Sequence, residues 1–139
     1  MNHNSNDPII ERLDLAHTKY SKATEEKLKE IMKSAKPLQP NQVDIMHLTL
    51  KKSENGDLVS TVLIRNGTQR ILHFQSLPLC ITEKVSGMVV AKGTFSLKNL
   101  TVQPFTSKPA TFVFPASSLY MEPIDLSSCR VTYPDSPSN

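Results

Sequence analysis

The stretch KVSGMVVAKGTFSLKNLTVQPFTSKPATFVFP, residues 84–115, decides the fold. It contains two strand-like runs joined by a long polar arm punctuated by proline. Val89, Ala91, Gly93, Phe95 and Leu97 share one parity; Phe112 and Phe114 flank Val113 before Pro115 stops the second run. A period of two is what a pleated strand with one buried face requires. The arm between the runs, KNLTVQPFTSKP, reads as a loop that Leu100, Val102 and Phe105 can pin to the core. Gly93, in mid-strand, marks a bulge or a close backbone approach, and a bulge is the expectation.

Partners for these two runs lie on both sides of the stretch. Before it, VDIMHLTLKK shifts parity from Val43 and Ile45 to Met46, Leu48 and Leu50, which predicts a bulge near Ile45 and Met46. SENG then supplies Asn55 and Gly56 for a tight hairpin, and DLVSTVLIRN returns with Leu58, Val62 and Ile64 inward. Asn66 and Gly67 read as a second turn, followed by QRILHF as a short strand suited to an edge. SLPLCITE puts Leu77, Leu79 and Ile81 on one face and Cys80 on the other. Beyond the stretch come a single turn around residues 116–121 and a last strand in SSCRVTYP. About seven short strands with frequent turn signals predict a mainly β, immunoglobulin-like antiparallel sandwich.

Residues 1–20 read as a polar lead-in, disordered over its Asn-rich start and weakly helical through Ile10, Leu13, His17 and Tyr20. Residues 21–36 form an amphipathic helix with Thr24, Leu28, Ile31, Met32 and Ala35 on one stripe. Ser21 or Thr24 is its N-cap, Glu25 and Glu26 suit its start, Lys33 and Lys36 suit its end, and Pro37 stops it. The connector KPLQPNQ leads into a sandwich domain over residues 37–134, with a tail at 135–139.

With 139 residues, 38% apolar and 21% charged, the chain has room for one domain with a real core and not two. The net charge of +3 is spread evenly, seven Lys/Arg against six Asp/Glu in residues 1–36 and nine against seven beyond, so no basic block marks a nucleic-acid partner. Lys51, Lys52, Arg65 and Arg70 with Phe74 read as a solvated charged face. No apolar run has the roughly 20 residues that a transmembrane helix needs. No basic segment precedes an apolar one at the N-terminus, so the expected location is the cytoplasm. Cys80 and Cys129 are then expected as reduced, partly buried thiols, with a disulfide across the core as the alternative.

The motifs LQPNQVDIMHLTL, VLIRNGTQRILHFQSLPLCITE, GMVVAKGTF and SKPATFVFP together resemble the SLAP domain, a family of Gram-positive bacteria tied to accessory Sec secretion and S-layer assembly. The resemblance implies a small, non-catalytic, immunoglobulin-like module that works by contact with other proteins. The positions that match its pattern are Pro40, Asn41, Gln42, Arg65 and Asn66, then Pro78, Leu79, Ala91, Gly93, Thr94 and Phe95, then Pro109, Phe112, Phe114 and Pro115. The chain departs from the pattern at Ala110, where the family commonly has an aromatic, and at residues 82–86, where it usually has an acidic turn. One copy fits in the chain.

Chemistry-bearing residues are sparse. His3, His17, His47 and His73 show no metal-ligand spacing, and neither cysteine has a histidine near it in sequence. No Gly-rich phosphate loop and no nucleophile elbow occur, so neither an enzyme nor a cofactor is expected. The leading expectation is a protein-interaction module whose contact surface is the helix stripe Leu28, Ile31, Met32 and Ala35 together with any unpaired sheet edge, a homodimer included. The alternative is a small-molecule or carbohydrate-binding sandwich whose mouth is formed by residues 103–108 and 83–87.

Overall fold

The chain forms, in order, β1 (Arg12–Leu13), α1 (Lys22–Ser34), β2 (Val43–Lys52), β3 (Leu58–Asn66), β4 (Leu72–Glu83), β5 (Val89–Val102), β6 (Thr106–Phe114) and β7 (Cys129–Thr132). These elements come from a computed structural model that describes residues 12–14, 21–122 and 125–133. One sheet has the strand order β1-β6-β3-β2, the other β5-β4-β7. Every pairing is antiparallel except β1 with β6. The expected seven-stranded sandwich with an N-terminal helix is therefore what the chain builds.

Parity places the core between the sheets. Leu58, Val62 and Ile64 of β3 and Phe112 and Phe114 of β6 meet Leu77, Leu79 and Ile81 of β4, Val90, Ala91 and Val102 of β5, and Cys129 and Val131 of β7. Phe95 anchors the middle, its ring centroid 5.0 Å from those of both Phe112 and Phe114 and edge-on to the latter at 81°. Gly93 stays in register with Leu79, and no bulge forms there. A Cβ at Gly93 would lie 3.0 Å from the Phe95 ring, so the glycine makes room for that ring. The β5 bulge falls earlier, where Ala91 pairs with Ile81 and Val89 with Thr82; the extra residue, Val90, is driven into the core and Val89 is left half-buried. The side chain of Leu97 lies outside the described residues.

Several segments differ from the sequence reading. QRILHF and SLPLCITE are parts of one central strand, β4, because a register shift between Phe74 and Ser76 absorbs the polar interruption. Most of the arm at residues 98–109 is strand: β5 runs to Val102 and β6 begins at Thr106, leaving a turn in which Phe105 takes φ 54°. The two prolines explain the misreading, since Pro104 sits in that turn and Pro109 on a part of β6 whose second side has no described partner. The β2 bulge falls at Leu48, between the pairs made by His47 and Thr49, so His47 keeps the inward parity of Val43 and Ile45. In the β2–β3 turn Gly56 alone takes positive φ, and Asn55 does not.

Leu13, expected on a helical stripe, lies in β1, where Arg12 and Leu13 pair in parallel with Thr106 and Ser107. Ile10, His17 and Tyr20 lie outside the described residues, as do residues 1–11 and the tail from 134. Helix α1 follows its predicted chemistry. Ser21 is the N-cap and accepts from the Thr24 N–H at 3.2 Å, Glu25 lies in the first turn and pairs with Lys29, and Lys33 lies in the last. The helix thus stands between two strands of the same sheet.

Candidate functional site

The sandwich has two unlike ends. At one end β3 crosses to β4 through residues 67–71 and β5 crosses back to β6 through residues 103–105, and the side-chain amide of Asn66 ties the two crossings together. Its Nδ2 donates to the carbonyls of Arg70 at 2.8 Å and of Val102 and Gln103 at 3.0 Å, and its Oδ1 accepts from Thr68 N at 2.9 Å and Thr68 Oγ1 at 2.7 Å. Three carbonyls on one side and an N–H on the other fix the amide's orientation. Asn66 is fully buried, and its bond to Val102 forms away from water while the others lie at the margin of the interior.

Its neighbours complete a clasp. Arg65 is buried on the outer face of β3, where Nη1 pairs with Asp44 Oδ2 at 3.2 Å and Nη2 donates to the Lys36 carbonyl at 2.8 Å, fixing the chain just beyond the helix. Pro40, Asn41 and Gln42 form a turn closed by Gln42 N to Gln39 O at 3.1 Å, with Asn41 at φ 64° after a proline. That turn is laid against Gly67 through Asn41 N to Gly67 O and Gly67 N to Gln42 O, both 2.8 Å. A Cβ on Gly67 would stand 2.6 Å from Gln39 O and 2.8 Å from Gln42 O, so only glycine permits the approach. Gly67, in the turn expected after Asn66, therefore serves close contact and takes no positive φ.

On one long side of the sandwich, between the edge strand β2 and the β4–β7 edge, the described residues of β7 cover about a third of β4. β7 pairs with residues 80–83 of β4 and no further. There His47 Nδ1 accepts from the Val131 N–H at 3.4 Å, joining β2 to β7. Burial, reinforced by the nearby Arg130 charge, lowers the His47 pKa and keeps the ring neutral, as an accepting nitrogen must be. Beyond β7 the sheets part into a cleft of about 470 Å³ lined by Val43 and Ile45 of β2, Phe74 and Leu77 of β4, and Thr132 and Tyr133. Val43 at 44% exposure and, just before β4, Ile71 at 47% are large apolar side chains left open to solvent. The one charged lining residue, Asp44, is engaged by Arg65.

The other predicted residues are placed as follows. Pro78, Leu79, Ala91, Gly93, Thr94 and Phe95 lie on the paired stretch of β4 and β5, where Leu79 faces Gly93 and Pro78 faces Thr94; Phe112 and Phe114 end in the core, and Pro115 closes β6. On the helix, Leu28 is buried within the chain and Ile31, Met32 and Ala35 are half-buried. Cys80 and Cys129 are free. Cys129 faces the core, and Cys80 lies on the opposite face of the sheet, three β4 positions from the residue that pairs with Cys129, which leaves no route to a disulfide. Burial raises both thiol pKa values, and Glu83 and Asp125 add to the shift at Cys129. Residues 103–108 and 83–87 lie at opposite ends of the 12-residue β4, and so form no common mouth. Among the described residues no group of three or more His, Cys, Asp or Glu is placed to hold a metal, and no helix is long and apolar enough to cross a membrane.

The sequence read His47, Ile45 and Phe74 in other roles and gave Tyr133 none. The available signal was His47 itself, a polar residue in phase with Val43 and Ile45. No curated protein and no solved structure matches the chain. A family model, described as the SLAP domain, matches residues 13–135, beginning at β1 and running past β7. With most of its length covered by that match, including the Asn66 clasp and both sheets, the chain belongs to the SLAP domain family.

Proposed function

We propose that this domain is a non-catalytic protein-interaction module in protein secretion and in S-layer or cell-envelope assembly, acting on the cytoplasmic side. The observation that carries the reading is the partly open side of the sandwich, where an apolar cleft lies beside a stretch of β4 that has no described strand partner, in a member of the SLAP domain family. Supporting it, the two thiols have raised pKa values and so are poor nucleophiles at neutral pH, and His47 spends its accepting nitrogen on Val131. Two thiols that cannot pair suit a reducing compartment. The small-molecule or carbohydrate reading loses its expected mouth, because the two loops that would form it are separated by the length of β4, about 35–40 Å. The helix stripe is already partly consumed by burial within the chain, which directs the search for partners to the sheet edges.

The test is photo-crosslinking in the native cell, with a crosslinking residue at exposed His73 on β4 and, as control, at exposed Glu26 on α1. Crosslinks from position 73 to export components, S-layer proteins or envelope precursors are expected. Recovery of metabolic enzymes alone, or of no protein above the control, would remove the reading.

A further inference from the structure

We propose that residues 72–79 of β4, with the cleft beside them, receive an extended segment of another protein as an added strand antiparallel to β4, its alternate apolar side chains filling the cleft between Ile45 and Leu77. This rests on the interaction-module reading and names the form that the partner takes.

The backbone supplies the first argument. β5 pairs along β4 from Leu72 to Thr82, whereas β7 reaches only from Glu83 to Cys80. On that second side residues 72–79 have no described strand partner, so their outward backbone groups form a template about 25 Å long, in two arms either side of the irregularity between Phe74 and Ser76, where inward parity passes from Leu72 and Phe74 to Leu77 and Leu79. Pro78 lies within this stretch and has no N–H to donate, so pairing rests on the residues either side of it. Both existing neighbours of β4 are antiparallel to it, and antiparallel pairing is the slightly more stable kind per residue, which favours that direction for an added strand.

The side chains supply the second. The inward residues of this stretch, Phe74 and Leu77, line the cleft of about 470 Å³ together with Val43 and Ile45 of β2. A strand laid on β4 here would project every second side chain into that space. The only carboxylate on the lining is already held by Arg65, so the cleft selects apolar side chains and not cations.

The chain's own continuation is chemically unsuited to the place. β7 runs along β4 toward this edge, and the residues after Tyr133 read PDSPSN. Pro134 and Pro137 are three positions apart and so fall on opposite parities. Whichever parity faced β4, a proline without an N–H would stand on it, and no aliphatic or aromatic side chain is present to enter the cleft.

The experiment uses the full chain and a displayed library of linear peptides of about 12 residues, long enough to span the template. Enriched peptides are expected to alternate apolar and polar residues and to slow amide exchange within residues 72–79. N-methylation of the best peptide at one parity should weaken binding by about tenfold or more, while methylation at the other parity is tolerated. Val43→Lys, on the exposed lip, should weaken binding by a similar factor with an unchanged melting temperature. Absence of any enriched peptide, protection confined to other strands, or equal binding by both methylated series would overturn the proposal. So would concentration-dependent self-association that protects residues 72–79, which would assign the edge to a second copy of the chain. If these arms fail while crosslinking still recovers export or envelope proteins, the interaction reading stands and this site falls.

Discussion

The two ends of the sandwich are built on different principles. At the Asn66 end, two chain crossings and the turn at residues 39–42 are held by one buried amide, one buried guanidinium and one glycine that admits backbone to backbone contact. At the Gly87 end the β4–β5 turn needs a single positive φ of 72° and nothing lies within 4 Å of where a Cβ would be. Its side-chain bonds, such as Ser86 Oγ to Glu83 Oε1 at 3.0 Å, close a local turn and join no distant segments. Where connections cross between sheets, side chains must satisfy backbone groups that no ladder reaches. Where strands simply reverse, local turn chemistry suffices.

That contrast can be broken most directly at Asn66. Asn66→Ala removes the donor to the buried Val102 carbonyl, the Gln103 and Arg70 carbonyl contacts and the acceptor of the Thr68 N–H, and should cost on the order of 2–3 kcal/mol in urea unfolding. Asn66→Asp should be at least as damaging, because it sets a carboxylate against three carbonyl oxygens; full stability of the Asp variant would show that the donors do not matter. Gly67→Ala, which drives a Cβ into two carbonyls, should cost about 2–3 kcal/mol. At the other end Gly87→Ala should cost only about 1 kcal/mol, the strain of a left-handed alanine, and Gly87→Asn less. Equal losses at Gly67 and Gly87 would erase the distinction between the ends.

Two smaller effects sharpen it along the length of the sandwich. His47 has a folded-state pKa below its unfolded value near 6.5, so its contribution is intact above that pH and is lost as pH falls through the folded value, when Nδ1 gains a proton and can no longer accept from Val131. His47→Gln should flatten the decline in stability below pH 6.5, measured by denaturation at stepped pH. Ser60, on the inner face of β3 opposite Phe112, has a buried hydroxyl without a partner, and Ser60→Ala should gain about 0.5 kcal/mol. A loss of more than about 1 kcal/mol there would mean that the hydroxyl is satisfied in solution.

Much of the architecture was legible because parity survives in the strands that face the core. Phe112 and Phe114, Leu77 to Ile81, and Leu58 to Ile64 read correctly from spacing alone, and the helix read correctly from its cap, its charges and Pro37. What stayed hidden depends on contacts distant in sequence. A two-residue strand such as β1 is too short to show a period. β4 continues past Gln75 because its pairing with β5, broken there, resumes at Ser76, and proline in β6 looks like a loop until it is known that Pro109 has no described partner on the strand's second side. The resemblance to the SLAP domain picked out Arg65, Asn66 and residues 40–42, but not that they are one clasp. The cleft was missed because its lining comes from β2, β4 and the residue after β7, brought together only by the fold.

The pairing of β1 with β6 has a kinetic consequence. Arg12 meets Thr106, 94 positions later, so this contact closes among the largest loops in the chain and is disfavoured until most of the polypeptide has been synthesised. During translation the starting edge of β6 is therefore expected to emerge and pair with β3 before its own N-terminal strand is captured.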